Sequence, residues 1–231
     1  MVVATKGSVT DLSNGRILDD SIAKRAIESA MSYGAEYAEL RLVSETTNSV
    51  TLKDGKLERA IPGQQVGVTM RILADGAWGV HSTSDYKSID SQVESTVKLA
   101  RAVASRRKSK QPRVGLAEVP IIEDEIHWKS KKDVRDTDLQ TRIDLMLAID
   151  KEARDHDDIV STSTGWSDEH IHTELLTSEG MNRVWSFQRS LIHGMVTARN
   201  ETGVVSYRMR HGGEGGLELI EECDLGGMGE T

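Results

Sequence analysis

One stretch in the first half of the chain constrains the fold more than any other. Residues 66–82, VGVTMRILADGAWGVHS, contain two apolar runs joined by Asp75-Gly76. An aspartate-glycine pair between apolar runs strongly favours a two-residue β-turn, because both turn positions take positive φ. The stretch is therefore predicted to be a β-hairpin in which Leu73 lies opposite Trp78.

Both faces of this hairpin are expected to carry apolar side chains. Three lie on each face, namely Val68, Met70 and Ile72 on one, and Leu73, Trp78 and Val80 on the other. A strand pair that is apolar on both faces is normally covered on both sides. The hairpin is therefore expected inside a layered fold and not at its rim. Because it holds no nucleophile, base or metal cluster, it is expected to be a scaffold.

Composition excludes several classes of protein. The net charge of -8 argues against general affinity for nucleic acid. No apolar run approaches the roughly 20 residues that span a bilayer, and no signal-peptide pattern is present. The single cysteine, Cys223, cannot form an internal disulfide and fits a reducing compartment. A cytoplasmic protein without nucleic-acid or membrane partners is expected.

Hydrophobic periodicity predicts a helix and then strands before the hairpin. The helix begins at Asp19 or Asp20 and ends near Tyr33, with Gly34 as its stop. Its apolar stripe is Ile22, Ala26, Ile27, Ala30 and Met31. Strands are predicted at residues 37–43, 46–53 and 56–61, with a turn at Asp54-Gly55 and a break at Pro62-Gly63.

A second helix and a basic linker are predicted after the hairpin. The helix covers residues 88–106, and its buried face comprises Ile89, Val93, Val97, Ala100 and Ala104. Residues 105–118 are polar and basic and contain Pro112 and Gly115. The run has no interleaved aromatic residues and follows a helix C-terminus, which cations stabilise. A solvated linker is therefore favoured over a nucleic-acid contact.

The second half of the chain has a similar layout. Thr137 and Gln140 have capping-box spacing, and a helix is predicted to run to about Arg154. Its expected buried residues are Leu139, Ile143, Met146, Leu147 and Ala153. Strands are predicted at residues 159–166, 170–177, 181–188, 190–199 and 204–209, around turns at 178–180 and 201–203. The layout indicates either an old duplication or two units that solve the same packing problem.

These elements predict an α+β protein of two consecutive units, each with helices on an antiparallel or mixed sheet. Residues 1–18 are expected to be a lead-in, residues 19–107 the first domain, residues 108–118 the linker and residues 119–231 the second domain.

Several motifs, in this order and spacing, resemble one known family. They are GAEYAELR (34–41), LKDGKLE (52–58), GVTMRILADGAWGVHST (67–83), VKLARAVA (97–104), LTSEGMNRV (176–184) and RHGGEGGLE (210–218). The first four resemble the N-terminal domain of the TldD/PmbA family, and the last two resemble its central domain. The family was formerly labelled modulators of DNA gyrase and is now regarded as zinc metallopeptidases.

The resemblance implies zinc-dependent hydrolysis of peptide bonds in short or unfolded peptides, by a homo- or heterodimer of related subunits. TldD-type members carry HExxxH, which supplies two imidazole ligands and a glutamate base. None of the seven histidines here begins that motif. No catalytic, cofactor-binding or metal residue is therefore carried over, and the metal-bearing C-terminal domain is expected to lie outside the chain.

The chain by itself is accordingly expected to bind no zinc and to be inactive. It would supply scaffold, dimerisation surface and a place where extended peptides dock by strand addition. Two alternatives stay open, a non-catalytic PmbA-like subunit of a heteromeric peptidase and a peptide-binding or assembly module without enzymatic activity.

One local pattern suggests a metal site within the chain. His170, His172 and Glu174 alternate along a predicted strand and would share a face. They would spread over about 13 Å, which is too far for one tetrahedral ion. Ile171, Thr173 and Leu175 are expected to face the core, which would leave the histidines solvated.

Three further features have ordinary structural explanations. Residues 212–216, GGEGG, lack the lysine and hydroxyl residue of a P-loop, so a flexible connector between strand and helix is favoured. Asp155, Asp157 and Asp158 beside His156 are expected to form a polar helix end. Cys223 has no histidine at the spacing of a known catalytic pair.

Overall fold

The computed structural model describes residues 15–107 and 112–222, which contain, besides short 3-10 helices and irregular segments, four α-helices and seven β-strands. In chain order they are α1 (Asp20–Ser32), β1 (Tyr37–Lys53), β2 (Lys56–Ala74), β3 (Ala77–Thr83), α2 (Val93–Ser105), β4 (Glu123–His127), α3 (Leu139–Ala153), β5 (Ile159–Thr177), β6 (Asn182–Asn200), β7 (Gly203–Glu214) and α4 (Glu218–Glu221). These helices and strands confirm the α+β class. None of the described helices has the length and apolarity needed to cross a membrane.

The strands hydrogen-bond in the order β3-β2-β1-β5-β6-β4, and β7 pairs with β6. The chain divides into two compact units. Unit 1 combines the segment up to Leu42 with Gly67–His127 and Glu174–Val184, and unit 2 combines Val43–Val66, Trp128–Thr173 and the segment from Trp185 onward. Strands β1, β2, β5 and β6 therefore contribute residues to both units. The contiguous domains 19–107 and 119–231 stay a prediction.

The hairpin of β2 and β3 has the predicted turn and register. Asp75 and Gly76 have φ values of 53° and 69°. Leu73 pairs with Trp78 in an antiparallel ladder. The first face of β2 is buried as expected, at Val68, Met70 and Ile72. The Asp75-Gly76 turn thus sets the register of this hairpin, as the local sequence predicts.

The hairpin nevertheless lies at the edge of the sheet, which corrects the expectation that it is internal. In the strand order β3 comes first and has β2 as its neighbour. Val80 on the second face is 47% exposed. Trp78 on the same face meets the edge of Tyr37, with ring centroids 5.9 Å apart, and lies under the guanidinium of Arg71. Leu73, which is buried, and the half-buried Trp78 therefore form the packing of that face, and Val80 does not.

Strands β1 and β2 are continuous where the sequence predicts interruptions. β1 runs through residues 44 and 45, and β2 runs through Pro62-Gly63. β3 pairs with β2 over Val68–Ala74. Pro62 therefore lies in a part of β2 that β3 does not cover. A proline has no N–H to donate, and such an uncovered segment tolerates it.

The first helix of unit 1 packs through alanines. α1 begins after the N-cap Asp19 and ends before Gly34, which has a φ of 78°. These ends confirm the predicted helix. Its buried residues are Ala23, Ala26 and Ala30. Met31 was expected in the buried stripe but is 41% exposed. The face of α1 that is buried is the one that carries the three alanines, and Met31 lies beside it.

The second helix of unit 1 is shorter than predicted. Residues Tyr86–Gln92 form a 3-10 helix, and α2 follows it. α2 lies so close to β3 that a Cβ at Gly79 would come within 2.2 Å of the carbonyl oxygen of Thr96. This contact buries Thr96, while Ala104, expected in the buried face, is half-buried.

Unit 2 has a hydrophobic core of its own. Its buried members are Val50, Leu52, Met146, Trp166, Ile192, Leu217 and Ile220. Strands β5 and β6 each run without the interruptions predicted near residues 167–169 and 189. The turn between them falls at residues 178–180, as predicted.

The cap of α3 differs from the predicted capping box. Asp138 and not Thr137 is the N-cap, because its carboxylate accepts the N–H of Thr141 at 2.7 Å. The side chain of Gln140 donates to Asp144 instead of reaching back to the cap. An aspartate one residue further on is thus the stronger cap at this site.

The buried face of α3 is also partly polar, contrary to the prediction. Met146 is buried as expected, but Leu147 is 36% exposed. Arg142 and Asp150 are the other buried residues of the helix. Since neither charged residue belongs to an apolar stripe, hydrophobic periodicity misplaces this face.

Replacing Gly76 with valine tests the hairpin turn. A β-branched residue resists a φ of 69°, and a Cβ there would come within 2.8 Å of Nε of Arg113. Gly76→Val should therefore lower the free energy of unfolding by about 1–3 kcal/mol, measured by urea denaturation. Gly115→Val is the control, because a Cβ at Gly115 meets nothing within 4 Å. Equal stability of the two variants would show that the turn does not require Gly76.

Candidate functional site

Alternate residues of β5 form a buried polar face in unit 2. Every second side chain of a strand points to the same side. The buried ones here are Thr162, Thr164, Trp166, Asp168, His170 and His172. Five of these six are polar. Each needs a partner, because an unpaired buried polar group costs about 1–3 kcal/mol.

An ion pair between α3 and β5 lies at the centre of this face. Nε of Arg142 donates to Oδ2 of Asp168 at 2.6 Å, and both side chains are at most 3% exposed. Asn48 donates to the second carboxylate oxygen at 2.8 Å. The other guanidinium nitrogens donate to the carbonyl oxygens of Val134 and Thr137. These bonds offset the cost of burying two charges.

A second buried carboxylate, Asp150, binds the other end of the face. Its Oδ1 accepts the hydroxyls of Thr162 at 2.8 Å and Thr164 at 3.1 Å. Its Oδ2 accepts Nε of Arg154 at 2.8 Å. Both buried carboxylates are therefore engaged in holding α3 on β5, which indicates a structural role for them.

The two histidines considered as metal ligands lie on this buried face, so the expectation that they are solvated is wrong. His170 is 5% exposed and His172 is 3% exposed. Of the three residues expected in the core, Thr173 is buried while Ile171 and Leu175 are half-buried. The error arises because β5 packs its more polar side inward, against the charged residues of α3.

The candidate set of His170, His172 and Glu174 does not fit a shared metal ion. Glu174 belongs to unit 1, where its carboxylate accepts the N–H groups of Ile17 and Leu18. Among the described residues, no group of three His, Cys, Asp or Glu side chains is placed to hold a metal ion.

Asp133 is the ionised group beside His170. Burial raises the pKa of Asp133, but the hydrogen bonds from the side chain and backbone N–H of Arg135 lower it further than burial raises it. The charge of His170 adds a smaller lowering. The net result is a pKa below the ordinary value, so Asp133 stays charged at neutral pH.

The carboxylate of Glu218 accepts backbone N–H groups from the end of the glycine-rich segment 212–216 and from residues 131–132. Oε1 of Glu218 accepts the N–H groups of Gly216 and Lys131, both at 3.1 Å, and Oε2 accepts that of Lys132 at 2.9 Å. Burial raises the pKa of Glu218, but these N–H groups bring it below its ordinary value. A Cβ at Gly216 would lie 1.8 Å from the carbonyl oxygen of Lys132. Residues 212–214 belong to β7, which corrects the expectation that the whole segment 212–216 is a flexible connector. The connection from β7 to α4 begins only after Glu214.

The remaining sequence candidates are surface features or lie outside the described residues. Asp155, His156, Asp157 and Asp158 are exposed after α3, as a polar helix end should be. In the predicted linker, residues 112–118 are exposed and form neither helix nor strand, while residues 108–111 are outside the description. Cys223 and residues 1–14 of the predicted lead-in also lie outside the described residues.

A cleft of about 510 Å³ lies in unit 2 at strands β5, β6 and β7. Its lining residues are Ser163, Ser167, Leu191, His193, Gly194, Met195, Arg208, Met209 and Arg210. The ring of His193 covers Gly165, where a Cβ would lie 2.6 Å from Nε2. The cleft therefore offers cations and hydroxyls and contains no carboxylate.

The arginines of this cleft are the site residues that the sequence analysis misses. In the ladder of β6 and β7, Arg208 pairs with Met195 and Arg210 with His193. Both arginines are exposed. The alternation Arg208-Met209-Arg210 within a predicted strand is the signal that places both on one face.

Comparison with protein families identifies two regions of the chain. Residues 38–104 match the family model described as PmbA/TldA metallopeptidase domain 1. Residues 132–231 match the model described as PmbA/TldA metallopeptidase central domain. The two matches follow the same order along the chain as the motifs that carry the resemblance.

Individual relatives agree with this assignment. A metalloprotease of Methanothermobacter thermautotrophicus is 26% identical over 194 residues, which cover 84% of this chain and 41% of the relative. A metalloprotease of Methanocaldococcus jannaschii is 25% identical over 198 residues, covering 85% of this chain and 43% of the relative. The chain thus spans less than half the length of these relatives.

A solved structure shares the fold. The crystal structure of a Thermotoga maritima protein, named as a proposed modulator of a DNA gyrase, superposes with a TM-score of 0.68 and 16% identity. The match covers 87% of this chain and 45% of that protein. At this identity the likeness bears on the fold alone.

Removing Arg142 tests the importance of the buried pair. Arg142→Met leaves the carboxylate of Asp168 buried without its cation and should destabilise the chain by about 3–5 kcal/mol in urea unfolding. Arg189→Met is the matched control, because Arg189 pairs with Glu169 at 3.2 Å but is 51% exposed. An exposed pair contributes about 0–1 kcal/mol. Similar losses in the two variants would contradict a special role for the buried pair.

Proposed function

Because the chain belongs to the PmbA/TldD metallopeptidase family, we propose that it is the N-terminal and central part of a zinc metallopeptidase. The reaction is hydrolysis of peptide bonds in short or unfolded peptides. The metalloprotease names of the two archaeal relatives support the reaction class. A dimer with a related subunit is part of the same proposal.

In this proposal the chain supplies the scaffold, and the metal ligands lie outside it. A peptidase zinc site needs several imidazole or carboxylate ligands around one ion and a base for the bound water. The buried carboxylates of unit 2 support this division of roles, because Asp150 and Asp168 already bind protein partners.

In this proposal an extended peptide docks on strand β7. The exposed edge of this strand is the observation that carries the proposal, because it offers a binding function in addition to support. Among the described strands, β7 pairs with β6. We call the opposite side of β7 its free edge. The backbone groups of an edge strand can pair with an added extended peptide, with little demand on its sequence. Exposed apolar residues of β7, Val204, Val205 and Tyr207, add contact area.

The chain alone should neither retain zinc nor cleave peptides. Purified protein is incubated with zinc, desalted and analysed for bound metal, and cleavage of an unstructured peptide is followed with and without chelator. We expect no stoichiometric zinc and no chelator-sensitive cleavage, because the described residues contain no three-ligand cluster. The control is a His170→Ala/His172→Ala variant checked for folding by circular dichroism. Chelator-sensitive cleavage by the parent that this variant loses would overturn the proposed division of roles.

A further inference from the structure

Two exposed arginines stand beside the free edge of β7 without an acidic partner. Arg208 and Arg210 alternate along β7 and therefore project from the same face of the sheet. Within residues 15–107 and 112–222, neither arginine side chain forms a hydrogen bond or an ion pair. Arg189, by contrast, contacts the carboxylates of Glu169 and Glu214.

The surroundings of these arginines favour an anion. No aspartate or glutamate lines the cleft at Arg208 and Arg210, while the His193 ring and two serine hydroxyls do. Arg210 lies opposite His193 in the ladder, and Arg208 lies opposite Met195, so no carboxylate stands across the ladder from either arginine. The chain as a whole carries a net charge of -8. The cationic patch is therefore a local feature and does not follow from the overall charge.

The spacing of the arginines matches an extended peptide. Residues two apart on a strand lie about 6.6 Å apart, and alternate side chains of an added strand have the same spacing. Directly opposed side chains on neighbouring strands have Cβ atoms about 4.5–5.5 Å apart. Carboxylates at alternate positions of a peptide on the free edge would therefore meet Arg208 and Arg210 together.

We propose that β7 binds extended peptides with acidic residues at alternate positions, and that Arg208 and Arg210 set this preference. The proposal rests on the docking role proposed above for this strand. Main-chain hydrogen bonds to the free edge supply affinity that is independent of sequence. Guanidinium groups and carboxylates form charge-assisted hydrogen bonds that supply the selection. Because the arginines are exposed, salt screens this selection.

The experiment compares three labelled peptides of equal length by fluorescence anisotropy with the parent chain. One has glutamate at alternate positions, the second has glutamine there, and the third is the glutamate peptide with methylated backbone nitrogens. We expect the glutamate peptide to bind roughly tenfold more tightly than the glutamine peptide at low salt. The methylated peptide should not bind, because it cannot donate main-chain hydrogen bonds.

Variants assign the preference to the two arginines. In Arg208→Gln/Arg210→Gln the glutamate and glutamine peptides should bind equally, at the affinity that the parent shows for the glutamine peptide. Arg59→Gln is the matched control, since Arg59 is an exposed arginine of β2 in the same unit. It should keep the preference of the parent.

The outcomes separate this preference from the docking role. Equal binding of the glutamate and glutamine peptides to the parent would overturn the preference and leave docking intact. Tight binding of the methylated peptide, or binding of none of the three, would overturn strand addition itself. Sedimentation of the same samples detects another occupant, because a dimer that excludes the peptides would place a second copy on the free edge and overturn the proposal.

Discussion

The buried ion pair between Arg142 and Asp168 is the constraint on which the arrangement of unit 2 depends. Two charges removed from water are stable only where every hydrogen-bonding group is matched. The pair therefore holds α3 at the position where Asn48 and the carbonyl oxygens of Val134 and Thr137 complete its bonds. With α3 fixed in this way, the polar side of β5 lies inside, and the cleft with Arg208 and Arg210 lies on the other face.

Features set by neighbouring residues could be predicted from the sequence. The Asp75-Gly76 turn and the Asp19 cap depend on a few adjacent positions, and both are confirmed. The edge position of β3 could not be derived, because strand order depends on partners distant in the chain. The same reason explains the continuous β2, since Pro62 is tolerated where β3 does not pair with β2.

The candidate site shows where periodicity fails. An alternating strand has two faces, and the usual rule assigns the apolar one to the core. In β5 this rule buries Ile171 and solvates His170, whereas in the structure His170 is buried and Ile171 is half-buried. The polar face is buried because α3 carries charges that match it, and no local pattern in β5 reveals those charges. The sequence does not single out Arg208 and Arg210 for a related reason. Their proposed role in peptide binding depends on β7 having a free edge, and strand order cannot be derived from the local sequence.

Hydrogen exchange tests the central claim most directly, namely that the buried face of β5 is structural and that ligands engage β7. Amide exchange of the parent chain is measured by mass spectrometry alone, with zinc, and with the glutamate peptide. The account predicts that the peptide slows exchange in β7, and that neither addition changes the already protected amides of β5. Slower exchange around His170 and His172 on adding zinc, with β7 unchanged by the peptide, would contradict it.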